Sequence, residues 1–339
     1  MKVGIIEKPG ELKIAERDIP KVKDSHDVLI KVKRVGICGS DIHIFHGKNP
    51  FAVYPRVWGH EFVGEVIETG SDVKSVHQGS HVVVEPILFC GKCYACRQGR
   101  GNVCEKLQVM GVHTDGGCQE YFLARESSLH LLPESLPWDE AVLIEPFTIG
   151  AQACYRGNVQ KDDVVLIMGA GTIGLTVLQM AKLAGATVIV TDLVPEKLAY
   201  AKTRGADYII NAKEENPIEK VREITGGMGA NVTVDAVCIK KSFEDAIELT
   251  SAAGRIVELS FNEIPSDIAP VNIVKKELTI CGSRLQTKRF PVVIDYLNQG
   301  KLALSGFITK SYPLSQMIDA FDYVDKNNAS VRKVIITMD

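Results

Sequence analysis

Long hydrophobic runs are missing from this sequence. Its longest apolar stretches, such as Val164 to Met168, have the length of a strand and fall far short of a membrane span. At the N-terminus the apolar run is only Val3 to Ile6 before charges arrive, too short for the core of a signal peptide. The expectation is a cytoplasmic protein with no membrane partner, in which disulfides are disfavoured and clustered cysteines read as metal or catalytic groups. An excess of positive charge is missing as well. Lys and Arg number 39 against 42 Asp and Glu, a net charge of -3, so nothing supplies the basic face that nucleic acid requires. Histidine is absent beyond residue 130: all eight lie between 26 and 130, which places metal and proton chemistry in the first part of the chain. There is no internal repeat and no low-complexity tract.

The 339 residues exceed what one hydrophobic core comfortably serves, so two domains are expected. Residues 1–150 are rich in β-type runs (28–35, 62–68, 81–85) closely punctuated by Gly and Pro, and read as a mostly antiparallel β domain. Near 150 the pattern changes. Val164 to Met168 is continuously apolar, as in a strand covered on both faces. Helical spacing follows at 173–183, a strand at 188–191, a helix at 195–204, and further strands at 232–237 and 255–259 with helical stretches at 217–225 and 241–252. This alternation predicts a doubly wound parallel sheet over 151–290. The segment 291–339 carries two amphipathic stretches, near 288–299 and 313–327, and closes on a strand at 331–337; pattern alone does not say which domain it joins.

Gly169-Ala-Gly171-Thr172-Ile173-Gly174 fits G-x-G-x-x-G. A glycine-rich turn alone is weak and could be a plain strand-to-helix connection. Here it follows a strand, opens a helix, and has Asp192 ending the next strand, 18 residues after Gly174. The helix N-terminus offers free N–H groups and a favourable dipole to a pyrophosphate. Asp192 can accept from a ribose 2′-hydroxyl and would repel a 2′-phosphate, which favours NAD over NADP; Lys197 could reach the same edge.

Cys90-x-x-Cys93-x-x-Cys96-x₇-Cys104 is the sharpest local signal, within a lobe at 88–106. Four thiolates at this spacing suit a closed structural zinc site, with an iron–sulfur cluster as the rival. A second group is looser: Cys38-Gly-Ser40-Asp-Ile-His43, His60-Glu61 and Glu145-Pro146. Singly, each has a plain explanation as a small buried thiol, a core histidine or a helix-end charge. Together with the four-cysteine lobe and the dinucleotide turn they read as a second zinc site.

In this order the motifs resemble the zinc-containing medium-chain dehydrogenase/reductase family over essentially the whole chain. Glu145-Pro146, where alcohol dehydrogenases place a cysteine ligand, is similar to the sorbitol and threonine dehydrogenase branch. Residues 54–61, 111–117 and 282–285 resemble bacterial L-galactonate and L-gulonate 5-dehydrogenases and the starvation-sensing protein group. One departure is Thr172, where proline or valine is usual. The resemblance implies a GroES-like catalytic domain to which the C-terminal segment returns, a Rossmann domain between, and two zinc ions per chain. It implies a catalytic zinc held by Cys38 and His60 with Glu61 and Glu145 completing or flanking the shell. Ser40 would be the first hydroxyl of a proton relay and His43 its outer base. Substrate would be a small polyhydroxylated molecule, foremost a hexonate oxidised at C5, with polyol, threonine or sugar-phosphate dehydrogenases and a non-catalytic zinc- and NAD-binding sensor as alternatives. Arg56 and Arg284 are the candidates for a substrate carboxylate, each balanced against an ordinary salt bridge. A homodimer or homotetramer is expected, formed by an edge strand near Glu277 to Cys281.

Overall fold

A computed structural model describes all residues except Asn262, Asn328 and Asp339. The chain forms two compact units, Met1–Glu145 with Leu304–Asp339, and Pro146–Ala303. The second unit includes the helix Phe290–Asn298, which the sequence pattern groups with the C-terminal segment.

The first unit is organised around one long strand, Asp27–Ile37, whose apolar residues are buried along most of its length. Its partner Glu61–Thr69 pairs antiparallel, with Gly36 opposite Glu61. The C-terminal strand Lys333–Thr337 pairs antiparallel along the other edge, with Val334 opposite Ile37. The strand Tyr121–Arg125 pairs with its first half. The sheet is therefore antiparallel throughout except where Ile308–Pro313 runs parallel to Lys333–Thr337. Consecutive residues of this strand, which face opposite sides of the sheet, are buried at both of its ends, which explains why only part of it alternates.

The second unit is a six-stranded sheet, all parallel, in the order Tyr208–Asn211, Thr187–Asp192, Val164–Met168, Ala230–Asp235, Thr250–Glu258, Thr279–Gly282. Numbered along the chain this is 3-2-1-4-5-6, the doubly wound order. Leu166, Ile189 and Ile256 are completely buried within its core, the burial that continuous apolar strands are built for. Thr279–Gly282 is one of the two edge strands and overlaps Glu277 to Cys281, the region singled out for self-association.

The segment around Glu145 folds as two helices, Trp138–Ala141 and Ile144–Arg156. Glu145 therefore stands in the first turn of a 13-residue helix, with Pro146 beside it, not after a helix end. Proline suits a first turn because its missing N–H has no intrahelical partner there. Among the described residues no helix is long and apolar enough to cross a membrane.

Candidate metal and dinucleotide sites

Cys38 lies where the long strand ends and caps the helix Gly39–Phe45. Asp41, three residues on, accepts from the Cys38 backbone N–H at 2.8 Å and so fixes the turn. The register of the two flanking strands then decides the neighbours. Pairing Gly36 with Glu61 brings His60 and Glu61 beside Cys38, and pairing Ile37 with Val334 brings Lys333 to the same place. Gly36 is required here: a Cβ on it would strike the Glu61 carboxylate.

The donor atoms of Cys38, His60 and Glu61 fall within 4.8 Å of one another. His60 and Glu61 are buried, and Cys38 is half-buried. His60 Nδ1 faces Asp41 Oδ1 at 3.4 Å, and neither atom has a well-formed hydrogen bond. That orientation leaves Nε2 on the ligand side, where Ser40 Oγ is 3.5 Å away. A carboxylate behind a metal-binding imidazole sets its tautomer and ring plane. Lys333 Nζ donates to Glu61 Oε1 and Oε2 at 2.8 and 2.7 Å and to Ile37 O at 3.2 Å, with both side chains almost fully buried.

The electrostatics of this cluster fit a cation. Burial opposes a charge on His60, but Asp41 and Cys38 beside it outweigh that and hold its pKa well above the usual imidazole value. Burial and then the neighbouring Glu61 charge push the Glu145 carboxyl up to about 8. Burial likewise opposes the Lys333 charge, and Glu61 and Cys38 outweigh it. One thiol and three carboxyls (Asp41, Glu61, Glu145) thus crowd one interior region, and each draws on the few positive charges available. A divalent ion would relieve this surplus, and Cys, His and carboxylate are ligands that zinc accepts. Three close donors, one short of a closed tetrahedral set, are the pattern of a catalytic rather than a closed site. Glu145 stands outside the three-residue donor cluster and acts on it through its charge. His43 is exposed, on the same helix as Ser40 and three residues further on, hence on the same face.

The four cysteines of the lobe converge as their spacing predicts. Cys90–Cys96, Cys93–Cys96 and Cys93–Cys104 sulfurs are 4.0, 3.5 and 3.8 Å apart. A tetrahedral zinc with Zn–S of about 2.3 Å demands sulfur separations near ~3.8 Å. Backbone N–H groups of Cys93, Cys90 and Lys106 point at these sulfurs. N–H groups of Lys92 and Cys93 bring the Cys90 thiol down to about 6, while burial and the neighbouring thiols push Cys96 up to about 12. The lobe has little core of its own: Phe89, Tyr94 and Val103 are exposed. Such a segment needs the metal to hold its shape.

In the second unit the glycine turn joins Val164–Met168 to the helix Thr172–Leu183. Gly169 has φ of 97°, open to glycine at little cost. A Cβ on Gly174 would strike the Gly169 carbonyl, so helix and turn can approach only with glycine there. A Cβ on Gly171 would meet nothing, which marks the open side above the helix N-terminus at Thr172 and Ile173. Asp192 Oδ2 accepts from Ala170 N at 2.7 Å and Oδ1 from Val194 N at 3.0 Å, so its carboxylate is held at the rim of that turn. Lys197 is half-buried in the first turn of the helix Pro195–Thr203.

The two arginines differ. Arg56 is 16% exposed and bonds Asp115 at 3.1 Å and Val53 O at 3.3 Å. Arg284 lies with its guanidinium 5.7 Å from the centre of the Phe261 ring. Two residues that the sequence reading did not single out belong to the metal cluster. Asp41 was within reach, since it sits inside the Cys-Gly-Ser-Asp turn. Lys333 carries no local signal and arrives through strand pairing alone.

Residues 24–134 match the family profile described as "Alcohol dehydrogenase GroES-like domain", and residues 172–299 the one described as "Zinc-binding dehydrogenase". The chain is 41% identical over 339 residues to the starvation-sensing protein RspB of Escherichia coli K12, covering 99% of each. It is 34% identical over 338 residues to L-galactonate-5-dehydrogenase of the same organism, again covering 99% of each. The crystal structure of a short chain alcohol dehydrogenase (rspB) from E. coli CFT073, complexed with NADH, superposes with a TM-score of 0.93 at 40% identity, covering 100% of this chain and 99% of that one.

Proposed function

This chain belongs to the zinc-binding alcohol dehydrogenase family, and we propose that it oxidises a secondary hydroxyl of a sugar acid, a hexonate such as L-gulonate or L-galactonate at C5, to the keto acid with NAD as hydride acceptor. The observation that carries this reading is the three-donor cluster of Cys38, His60 and Glu61 in a chain whose other unit offers a glycine turn rimmed by Asp192.

Cys38 and His60 would hold the catalytic zinc, with Glu61 or Glu145 as the third protein ligand and the other carboxylate flanking it. Zinc bound there supplies Lewis acidity: it lowers the pKa of water from about 15.7 to roughly 7, and a substrate hydroxyl responds in kind. Asp41 orients His60. Ser40 Oγ, close to His60 Nε2, would accept the substrate's proton as it gives up its own, and exposed His43 on the same helix face would serve as the outer base that exchanges a proton with solvent. Lys333 holds Glu61 in place until the metal or substrate claims it. Cys90, Cys93, Cys96 and Cys104 would hold the second zinc, which shapes the lobe and takes no part in chemistry.

The turn at Gly169, Gly171, Thr172, Ile173 and Gly174 would receive the cofactor pyrophosphate, and Asp192 the adenosine ribose, with Lys197 at the same edge. A carboxylate at that position disfavours the 2′-phosphate of NADP. The sugar-acid reading rests on the L-galactonate-5-dehydrogenase relative. Because Arg56 is committed to Asp115, we assign it to the scaffold, which leaves Arg284 as the candidate for the substrate carboxylate. The nine cysteines, none of them in a disulfide, suit a reducing cytoplasm, and the edge strand at Thr279–Gly282 suits assembly into a homodimer or homotetramer.

The test is NADH formation by zinc-loaded protein with NAD and a panel of hexonates, polyols and amino alcohols. Turnover of a hexonate with polyols inert supports the proposal. Turnover of polyols or threonine alone refutes the substrate class. No turnover despite bound zinc and NAD refutes the activity and favours a sensor.

A further inference from the structure

The parallel sheet of the second unit ends in a pair of carboxyls that the glycine turn and Asp192 do not use. Asp235 and Glu258 are register partners, each the last residue of its strand. Asp235 is fully engaged: Oδ1 accepts from the Val237 and Cys238 N–H groups at 2.9 and 3.1 Å, and Oδ2 from Ser242 Oγ at 2.6 Å. Glu258 is engaged by half. Its Oε1 accepts from the Ser260 N–H at 2.8 Å, whereas Oε2 is buried with no hydrogen-bond partner. At the next strand end Ser283 donates its N–H to Glu258 O at 2.9 Å, and its own Oγ is also buried without a partner in a residue only 8% exposed. Buried oxygens with nothing to bond are costly unless a polar ligand completes them.

Their place in the sheet says which ligand. A dinucleotide lies across the C-terminal strand ends at the point where strand order reverses, one nucleotide to each side. Here the reversal falls between Val164–Met168 and Ala230–Asp235. Asp192 and the glycine turn stand on one side; Asp235, Glu258 and Ser283 stand on the other, the side of the second nucleotide. In NAD that nucleotide carries the nicotinamide, whose ring is cationic when oxidised and neutral when reduced.

We propose that Glu258, flanked by Asp235 and Ser283, reads the charge of the nicotinamide: as a carboxylate it favours NAD+, and as a neutral acid it favours NADH. This rests on NAD(H) being the cofactor and adds a redox-state preference to it.

Burial, and then the Asp235 charge, push the Glu258 carboxyl up to about 7, so it changes charge in the physiological range. The groups around it leave that change to Glu258. Asp235, on the neighbouring strand, is itself raised by burial but is held by three hydrogen bonds. The Cys238 thiol in the following loop, pushed up to about 12 by burial, stays neutral. Arg284, next to Ser283, lies over the Phe261 ring. The sign follows. NAD+ pairs with the carboxylate, lowers the Glu258 pKa and releases its proton to solvent. The Kd for NAD+ therefore falls as pH rises from 6 to 8, by about fivefold if the pKa drops by one unit. NADH gains nothing from ionisation, and its Kd stays level or rises over the same range.

Titration calorimetry of the full-length protein with NAD+ and NADH at pH 6, 7 and 8, in two buffers of different ionisation enthalpy, gives both the Kd values and the protons released. We expect a fractional proton released with NAD+ at pH 7 and none with NADH, and a Glu258→Gln protein whose NAD+ affinity is flat with pH and releases no proton. Wild-type protein that binds both forms with no proton release and no pH dependence overturns the proposal without need of the variant. So does a folded Glu258→Gln protein that keeps the wild-type profile. Absence of binding by either form at any pH would overturn the cofactor reading with it.

Discussion

Lys333 donates to both carboxylate oxygens of Glu61 across 272 residues of sequence, at 2.8 and 2.7 Å, with both side chains almost fully buried. The pair ties the last strand of the chain to the residue after His60. It also presets a carboxylate beside the metal ligands while neutralising it when no metal is present. Removing one member of a buried ion pair leaves the other charge uncompensated.

Replacing Lys333 with Met should therefore destabilise the zinc-stripped protein by about 3–5 kcal/mol in urea unfolding. Zinc should recover part of that loss, because the ion offers Glu61 a new positive partner. A change below ~1 kcal/mol in the stripped protein would show that Glu61 is not held by this lysine.

Asp41→Asn keeps the shape of the turn but removes the charge facing His60 Nδ1. Outer-shell carboxylates of this kind are worth about 10–100-fold in metal affinity or activity. Zinc competition with a fluorescent chelator should show a loss in that range, with the lobe zinc retained. Unchanged affinity would remove Asp41 from the site.

The two proposed zinc ions should separate genetically. Wild-type protein should carry two zinc ions per chain by elemental analysis, and Cys38→Ser and Cys96→Ser one each. Cys38→Ser should leave thermal unfolding nearly unaltered while abolishing turnover. Cys96→Ser should lower the unfolding temperature, since the lobe's exposed Phe89, Tyr94 and Val103 offer no core to replace the metal. Equal thermal effects from both variants would contradict the division of roles.

Much of the fold was legible because its signals are local. The apolar run Val164 to Met168 and the glycine turn after it mark a buried parallel strand and its helix, and the structure places both within a residue of the expected bounds. The four lobe cysteines announce themselves by spacing. What was not legible depends on register. Lys333 meets Glu61 only because Val334 pairs with Ile37. Gly36 is indispensable only because Glu61 lies opposite. Glu145, which singly reads as a helix-end charge, stands instead in the first turn of a helix, where the proline beside it is at home. Arg56, read from its neighbours in sequence, turned out to have a partner, Asp115, in the loop beyond Gly111.

Asp192→Ala should weaken NAD binding by about tenfold or more, the worth of a hydrogen bond to a charged acceptor, and should narrow the preference over NADP. Part of the effect would come through the turn, since Ala170 N–H loses its acceptor. Equilibrium binding of NAD and NADP to the variant separates the two: a loss common to both reports the turn, and a loss confined to NAD reports the ribose contact. Unaltered binding of both would place the adenosine elsewhere.

The proposed reaction moves a hydride directly from C5 of a sugar acid to NAD at the zinc site. L-gulonate or L-galactonate carrying deuterium at C5 tests it most directly, with the reduced cofactor analysed by mass spectrometry after turnover by zinc-loaded protein. With direct transfer the cofactor gains one deuterium per turnover, and Cys38→Ser forms no labelled product. Reduced cofactor without deuterium, or label transfer undiminished in Cys38→Ser, would contradict it.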